Sequence, residues 1–138
     1  MNVGVYDREC DWLCWGVQER PISEADCVFV ERIGFILGGN DLWWKLDEEP
    51  TPHQVAQSAE RHALPLLERL KTREAIADAV ETHRSFGWSY PLPKIRLAAL
   101  RALIGERAEA LRLLNEVQAG GGDWAQRTLE VERRISAA

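Results

Sequence analysis

The side chains best able to do chemistry are three cysteines, Cys10, Cys14 and Cys27, and three histidines, His53, His62 and His83. Their spacing argues against most of it. Cys10-x-x-x-Cys14 is one residue too wide for a redox CxxC pair. With Cys27 it offers three soft ligands, but a zinc site needs a tighter second pair or a nearby histidine, and the first histidine is His53. An odd cysteine count without a secretion signal fits reduced thiols, which pack as small apolar groups. His53 and His62 are not at the i, i+4 spacing that grips a metal from one helix face. Asp7, Glu9, Asp11, Glu24 and Asp26 supply loop carboxylates. Acid–base work needs such groups close together and partly desolvated, and the sequence shows neither. Gly38-Gly39-Asn40 lacks the Lys-Ser/Thr and helix start of a phosphate loop. No metal, cofactor or catalytic residue is therefore expected. An enzyme would have to assemble a dispersed site, with Asp26, Cys27 and Asp41 as its best candidates.

Aromatic residues carry a stronger signal. Trp43 and Trp44 stand side by side after Gly38-Gly39-Asn40-Asp41. Two adjacent tryptophans belong in a core or on a binding surface, and Trp is enriched where binding energy concentrates. In a strand they would point to opposite faces. Trp12, Trp15 and Trp88 could join them in one aromatic patch, with Asp41 at its edge. These six residues are the candidate binding site. Ser85 to Pro93 holds three aromatics and two prolines, so this loop is expected to be pinned onto the domain.

The elements that must position these residues change character near residue 50. Before it, β-branched and aromatic residues form short runs. Asn2 to Tyr6 predicts a strand. Trp12 to Val17 fits either a strand or one helical turn. Cys27 to Leu37 predicts a strand with an irregularity at Gly34, and Leu42 to Leu46 another extended segment. After the linker Asp47-Glu48-Glu49-Pro50 the spacing is helical. Thr51 and Pro52 start a helix, and Pro65 should kink or break it, giving segments of about 52–63 and 65–71. Thr72 caps the next helix. Lys94–Ile104 and Glu106–Ala119 form a helical hairpin around Gly105, and after Gly120-Gly121-Gly122 a last helix begins, capped by Asp123, with Trp124, Thr128 and Leu129 inward. The hairpin resembles one tetratricopeptide-type helix pair. A single pair cannot stand as a solenoid, so that resemblance is local. The expected fold is a single α+β domain over 1–138. Residues 1–50 form a small antiparallel sheet, and 51–138 about five helices.

Composition bounds the partners. The net charge is −5, but residues 1–50 carry 11 acidic and 4 basic side chains, while 51–138 carry 11 and 13. The acidic half argues against nucleic acid, which needs a concentrated positive field. No apolar run approaches a membrane span. Met1 to Tyr6 shows neither the basic nor the apolar region of a signal peptide, so a cytoplasmic location is expected by default.

The order of several short motifs resembles an uncharacterised, mostly bacterial family, domain of unknown function 4304. The motifs are Asn2-Val3-Gly4-Val5-Tyr6, Pro21-x-Ser23-Glu24-Ala25-Asp26-Cys27, Glu31-Arg32-Ile33-Gly34-Phe35, Asp41-x-Trp43-Trp44 and Leu64-Pro65-x-Leu67. The resemblance implies an antiparallel sheet followed by helices, and no known activity. Members of that family begin with a helix and one or two strands before the segment matching Asn2 to Tyr6. A sheet lacking those strands presents an unpaired edge, so self-association, as a dimer, is expected. The function expected is a non-catalytic protein-interaction domain, in the manner of an immunity protein. The alternatives are a small-ligand-binding domain and an enzyme with a dispersed site.

Overall fold

Val3 and Val5 alternate with Asn2 and Gly4, and this short run forms the strand that its pattern predicts. The computed structural model describes residues 2–16, 21–38, 51–82 and 90–138. Strand β1 (Asn2–Val5) pairs antiparallel with β2 (Phe29–Arg32), Val3 opposite Glu31 and Val5 opposite Phe29. Between them lie helix α1 (Arg8–Trp15) and a 3₁₀ turn at Glu24–Asp26. Helix α2 (Ile33–Gly38) follows β2 directly. Then come α3 (Thr51–Ser58), a π turn (Ala59–Ala63) and α4 (Leu64–Arg69). Four further helices complete the described chain: α5 (Arg73–Thr82), α6 (Pro91–Leu103), α7 (Arg107–Ala119) and α8 (Asp123–Ala137). The α+β class holds, with an N-terminal two-stranded sheet and a mainly helical remainder.

Helices are more numerous than the sequence suggested. Counting α3, the π turn and α4 as one bent rod, the described residues hold seven, against about five expected. Both additions fall in the N-terminal part. Residues 12–17, open between strand and helix, lie largely in α1. Cys10, Leu13 and Cys14 bury one face of it at helical spacing. Asp7 caps it, its carboxylate accepting the N–H of Cys10 at 2.9 Å. The strand expected over Cys27–Leu37 stops at Arg32, where α2 begins. The apolar run through Phe35 and Ile36 has no two-residue alternation to fix one sheet face, and as a helix it packs against the π turn. The Trp43–Trp44 pair, Asp41 and Trp88 lie outside the described residues.

Pro65 disturbs its helix as expected, by a wide turn rather than a break. It has no N–H for the carbonyl of Arg61, and its ring crowds that carbonyl. The chain widens just upstream, where Leu64 donates to the carbonyl of Ala59, five residues back. Ala63 in that turn packs with Val3 of β1, with Ile36, Ala59 and Leu67 around them.

The main core surrounds α6. Ile95, Ala98, Ala99 and Leu100 are fully buried, and α6 touches α1, α5, α7 and α8. Burying each large aliphatic side chain contributes about 1.5–3 kcal/mol. Alanines at 98, 99 and 110 let α6 and α7 approach closely. In α8, Thr128, Val131 and Ile135 face the core. Leu129, expected inward, is 40% exposed because it falls one residue off that stripe. Gly122, not Asp123, occupies the cap position of α8. Among the described residues no helix is long and apolar enough to cross a membrane.

Candidate functional site

Four segments converge on one open cleft. Trp15 comes from the end of α1, Asp26 and Ala25 from the 3₁₀ turn, Tyr90 and Leu92 from the start of α6, and Trp124 and Arg127 from the first turns of α8. The cleft encloses about 530 Å³, within the range of small-molecule and side-chain pockets.

Local chemistry fixes each wall. Helix α1 ends after Trp15 because Gly16 turns left-handed at φ 72°, its N–H returning to the carbonyl of Trp12. Arg134 of α8 holds that end, donating from Nη1 to the carbonyls of Leu13 at 2.9 Å and Cys14 at 3.3 Å. The 3₁₀ turn is closed by Asp26, whose Oδ2 accepts the N–H of Ser23 at 2.7 Å and its hydroxyl at 2.8 Å. Arg96 of α6 donates to the carbonyl of Ala25 and ties the turn to the helix. Tyr90 caps α6 in an extended conformation, just before Pro91.

Two of the cleft's aromatic rings touch each other, and the third meets a cation. Tyr90 and Trp124 meet edge to face, their centroids 5.3 Å apart and their planes at 78°. The guanidinium of Arg127 lies 4.7 Å from the centre of the Trp15 ring, a cation–π contact. Its Nη1 also reaches Glu130 at 3.2 Å. Tyr90 is 53% exposed, high for a large aromatic ring.

A second cavity of about 250 Å³ lies on the other side of the turn, lined by Asn2, Cys27, Glu31, Val80 and Arg96 among others. Burial pushes the Cys27 thiol above its usual range, and neighbouring Arg96 only partly opposes this. At neutral pH it is a protonated, weak nucleophile. Cys10 and Cys14 are buried in the core. The hydrogen bond between them, with burial, raises the Cys10 thiol well above its ordinary value.

Of the expected binding residues, Trp15 is in the cleft and Trp12 packs, half-buried, against the main core. Trp43, Trp44, Asp41 and Trp88 are among the undescribed residues. Of the candidate catalytic residues, Asp26 lines the cleft and its neighbour Cys27 lines the other cavity, while Asp41 lies outside the described residues. Neither cavity is lined by a described histidine. His53 bonds Gln57 on the surface at 2.8 Å. Among the described residues no group of three or more His, Cys, Asp or Glu is placed to hold a metal. Trp124 packs against the main core as its spacing predicts, but sequence reasoning missed that it also lines the cleft, and missed Arg127. Their one signal was an aromatic and a cation one helical turn apart, after a triple-glycine turn.

No family model, curated protein or solved structure matches the chain.

Proposed function

We propose that this chain is a non-catalytic binding domain that engages another protein through the cleft of Trp15, Tyr90 and Trp124. The observation that carries this is the grouping of two tryptophans, a half-exposed tyrosine and an arginine around one open space. Trp, Tyr and Arg are the residues most enriched where interfaces concentrate their binding energy. The weakly nucleophilic Cys27 favours binding over catalysis. The cleft volume also suits a small ligand, which is the second reading.

Several finer points belong to the same proposal. The chain is a cytoplasmic protein of the uncharacterised family that its motif order resembles, and its acidic charge suits an immunity-like role against a basic toxin. It self-associates through the edge of β1. A monomeric mass by light scattering at tens of micromolar would count against the dimer.

Paired affinity capture tests the interaction. The native chain, a Tyr90→Ala variant and a Trp43→Ala, Trp44→Ala variant serve as baits, each shown folded by circular dichroism. A protein recovered with native bait and lost with Tyr90→Ala supports the cleft. Loss only with the Trp43, Trp44 variant moves the surface to that pair. Equal recovery from all three, or none from any, removes the cleft from the interaction.

A further inference from the structure

We infer that the cleft receives a basic side chain, an arginine or lysine, presented by the partner protein. The inference rests on the binding reading above and names the chemistry of what enters. Three ring systems and a carboxylate bound the space. The face of an aromatic ring carries negative potential and attracts a cation within about 6 Å of its centre. Tyr90 and Trp124 stand nearly perpendicular, edge to face, so one ring's face is partly covered by the other's edge and the remaining faces turn in two directions. Asp26, 6% exposed, adds a negative charge to the same lining.

The cleft already holds one such contact. The guanidinium of Arg127 rests on Trp15 at 4.7 Å, so that ring already carries a cation, and Tyr90 and Trp124 are the rings left to receive an incoming one. Arg127 is also the one feature that could instead favour an anion. Its charge is partly balanced by Glu130 at 3.2 Å, and Asp26 opposes an anion from the adjoining wall. At longer range the chain has a net charge of −5, which favours a basic partner over an acidic one.

Arg127 makes the inference sharply testable, because its removal acts in opposite directions on a cation and an anion. The full-length chain is titrated with blocked Gly-Arg-Gly, Gly-Lys-Gly, Gly-Glu-Gly and Gly-Phe-Gly peptides and with tetramethylammonium chloride. The indole N–H signals of Trp15 and Trp124 are followed by NMR. The arginine and lysine peptides should saturate these signals in the millimolar range, about tenfold more tightly than the others, and more weakly as salt rises. Arg127→Gln should tighten them several-fold, and Asp26→Asn should weaken them several-fold. Asparagine keeps an oxygen for the Ser23 N–H, and residue 127 lies on a half-exposed helix face, so both variants should fold.

Three results overturn the inference and leave the cleft standing. Binding of the glutamate peptide, abolished by Arg127→Gln, would make it an anion site. Preference for the phenylalanine peptide would make it an apolar one. Binding of tetramethylammonium without either basic peptide would make it a small-cation pocket. No response to any probe removes the inference and the cleft reading together.

Discussion

Replacing Gly16 with alanine tests how α1 is held. Two costs follow from the geometry. Residue 16 sits at φ 72°, where a Cβ costs about 1–2 kcal/mol. That Cβ would also lie 2.7 Å from Nη2 of Arg134 and 2.9 Å from its Cζ and Nε. The guanidinium is the mobile end of its side chain and can swing away. Doing so breaks its bonds to the carbonyls of Leu13 and Cys14. A hydrogen bond from a charged group contributes about 1.5–3 kcal/mol net. Gly16→Ala should therefore cost about 2.5–5 kcal/mol. Arg134→Ala alone should cost about 2–4 kcal/mol. With the guanidinium already gone, adding Gly16→Ala should cost only the backbone strain of about 1–2 kcal/mol. The double-mutant cycle should thus return a coupling of about 1.5–3 kcal/mol. Urea unfolding followed by circular dichroism at 222 nm supplies the four stabilities, compared only if their m-values agree. Costs that simply add, within about 0.5 kcal/mol, would refute the contact between residue 16 and Arg134 as the reason.

Asp7 caps α1 and receives Arg73, Nε to Oδ2 at 2.7 Å. Burial raises its pKa, but Arg73 and the Cys10 N–H outweigh this and hold the carboxyl below 3.8. Its folded pKa is thus depressed, so its stabilisation is present above pH 3.8 and lost as pH falls through the folded pKa. Asp7→Asn should cost about 1 kcal/mol at pH 7, given the partial exposure of Arg73, and progressively less as pH falls below 3.8; thermal melts whose gap stays constant with pH would contradict this. A thiol reagent should titrate one cysteine, Cys27, in the native chain and all three in denaturant, with Cys27 reacting faster as pH rises past 9. Fast reaction of two or more native thiols would contradict the burial of Cys10 and Cys14. Ala98→Leu should destabilise by about 1–3 kcal/mol in urea melts, since residue 98 is fully buried in the core around α6; a neutral result would mean that this region is loosely packed.

The legible part of this fold is the part whose pattern is long. In α6 to α8, apolar positions recur over three or more turns and glycines mark the ends, so local periodicity suffices. Helix α1 is only eight residues long, and its cysteines and tryptophans fit a strand nearly as well. In α2 the β propensity of Ile33, Phe35 and Ile36 lost to packing against the π turn, a contact made by residues not yet reached in the sequence. Pro65 announced a disturbance, and the backbone accommodated it by widening the turn before it. The cleft was half legible. Trp15 and the aromatic Ser85-to-Pro93 segment that contains Tyr90 stood out by composition, whereas Trp124 and Arg127 come to them only by the docking of α8, which no local pattern encodes.

That docking makes one helix responsible for both halves of the site. Trp124, Arg127, Val131 and Arg134 recur every three or four residues along α8, and so share one side of it. The N-terminal half of that side supplies two cleft walls, and the C-terminal half grips the end of α1. Trp15, the third wall, is the residue before Gly16, so its position depends on the same grip. Stability and binding should then separate by position. Tyr90 is half-exposed and caps its helix without a side-chain hydrogen bond, so its loss should weaken the cleft and leave unfolding almost unchanged. Loss of the Arg134 guanidinium should lower both together, although it touches nothing that enters the cleft.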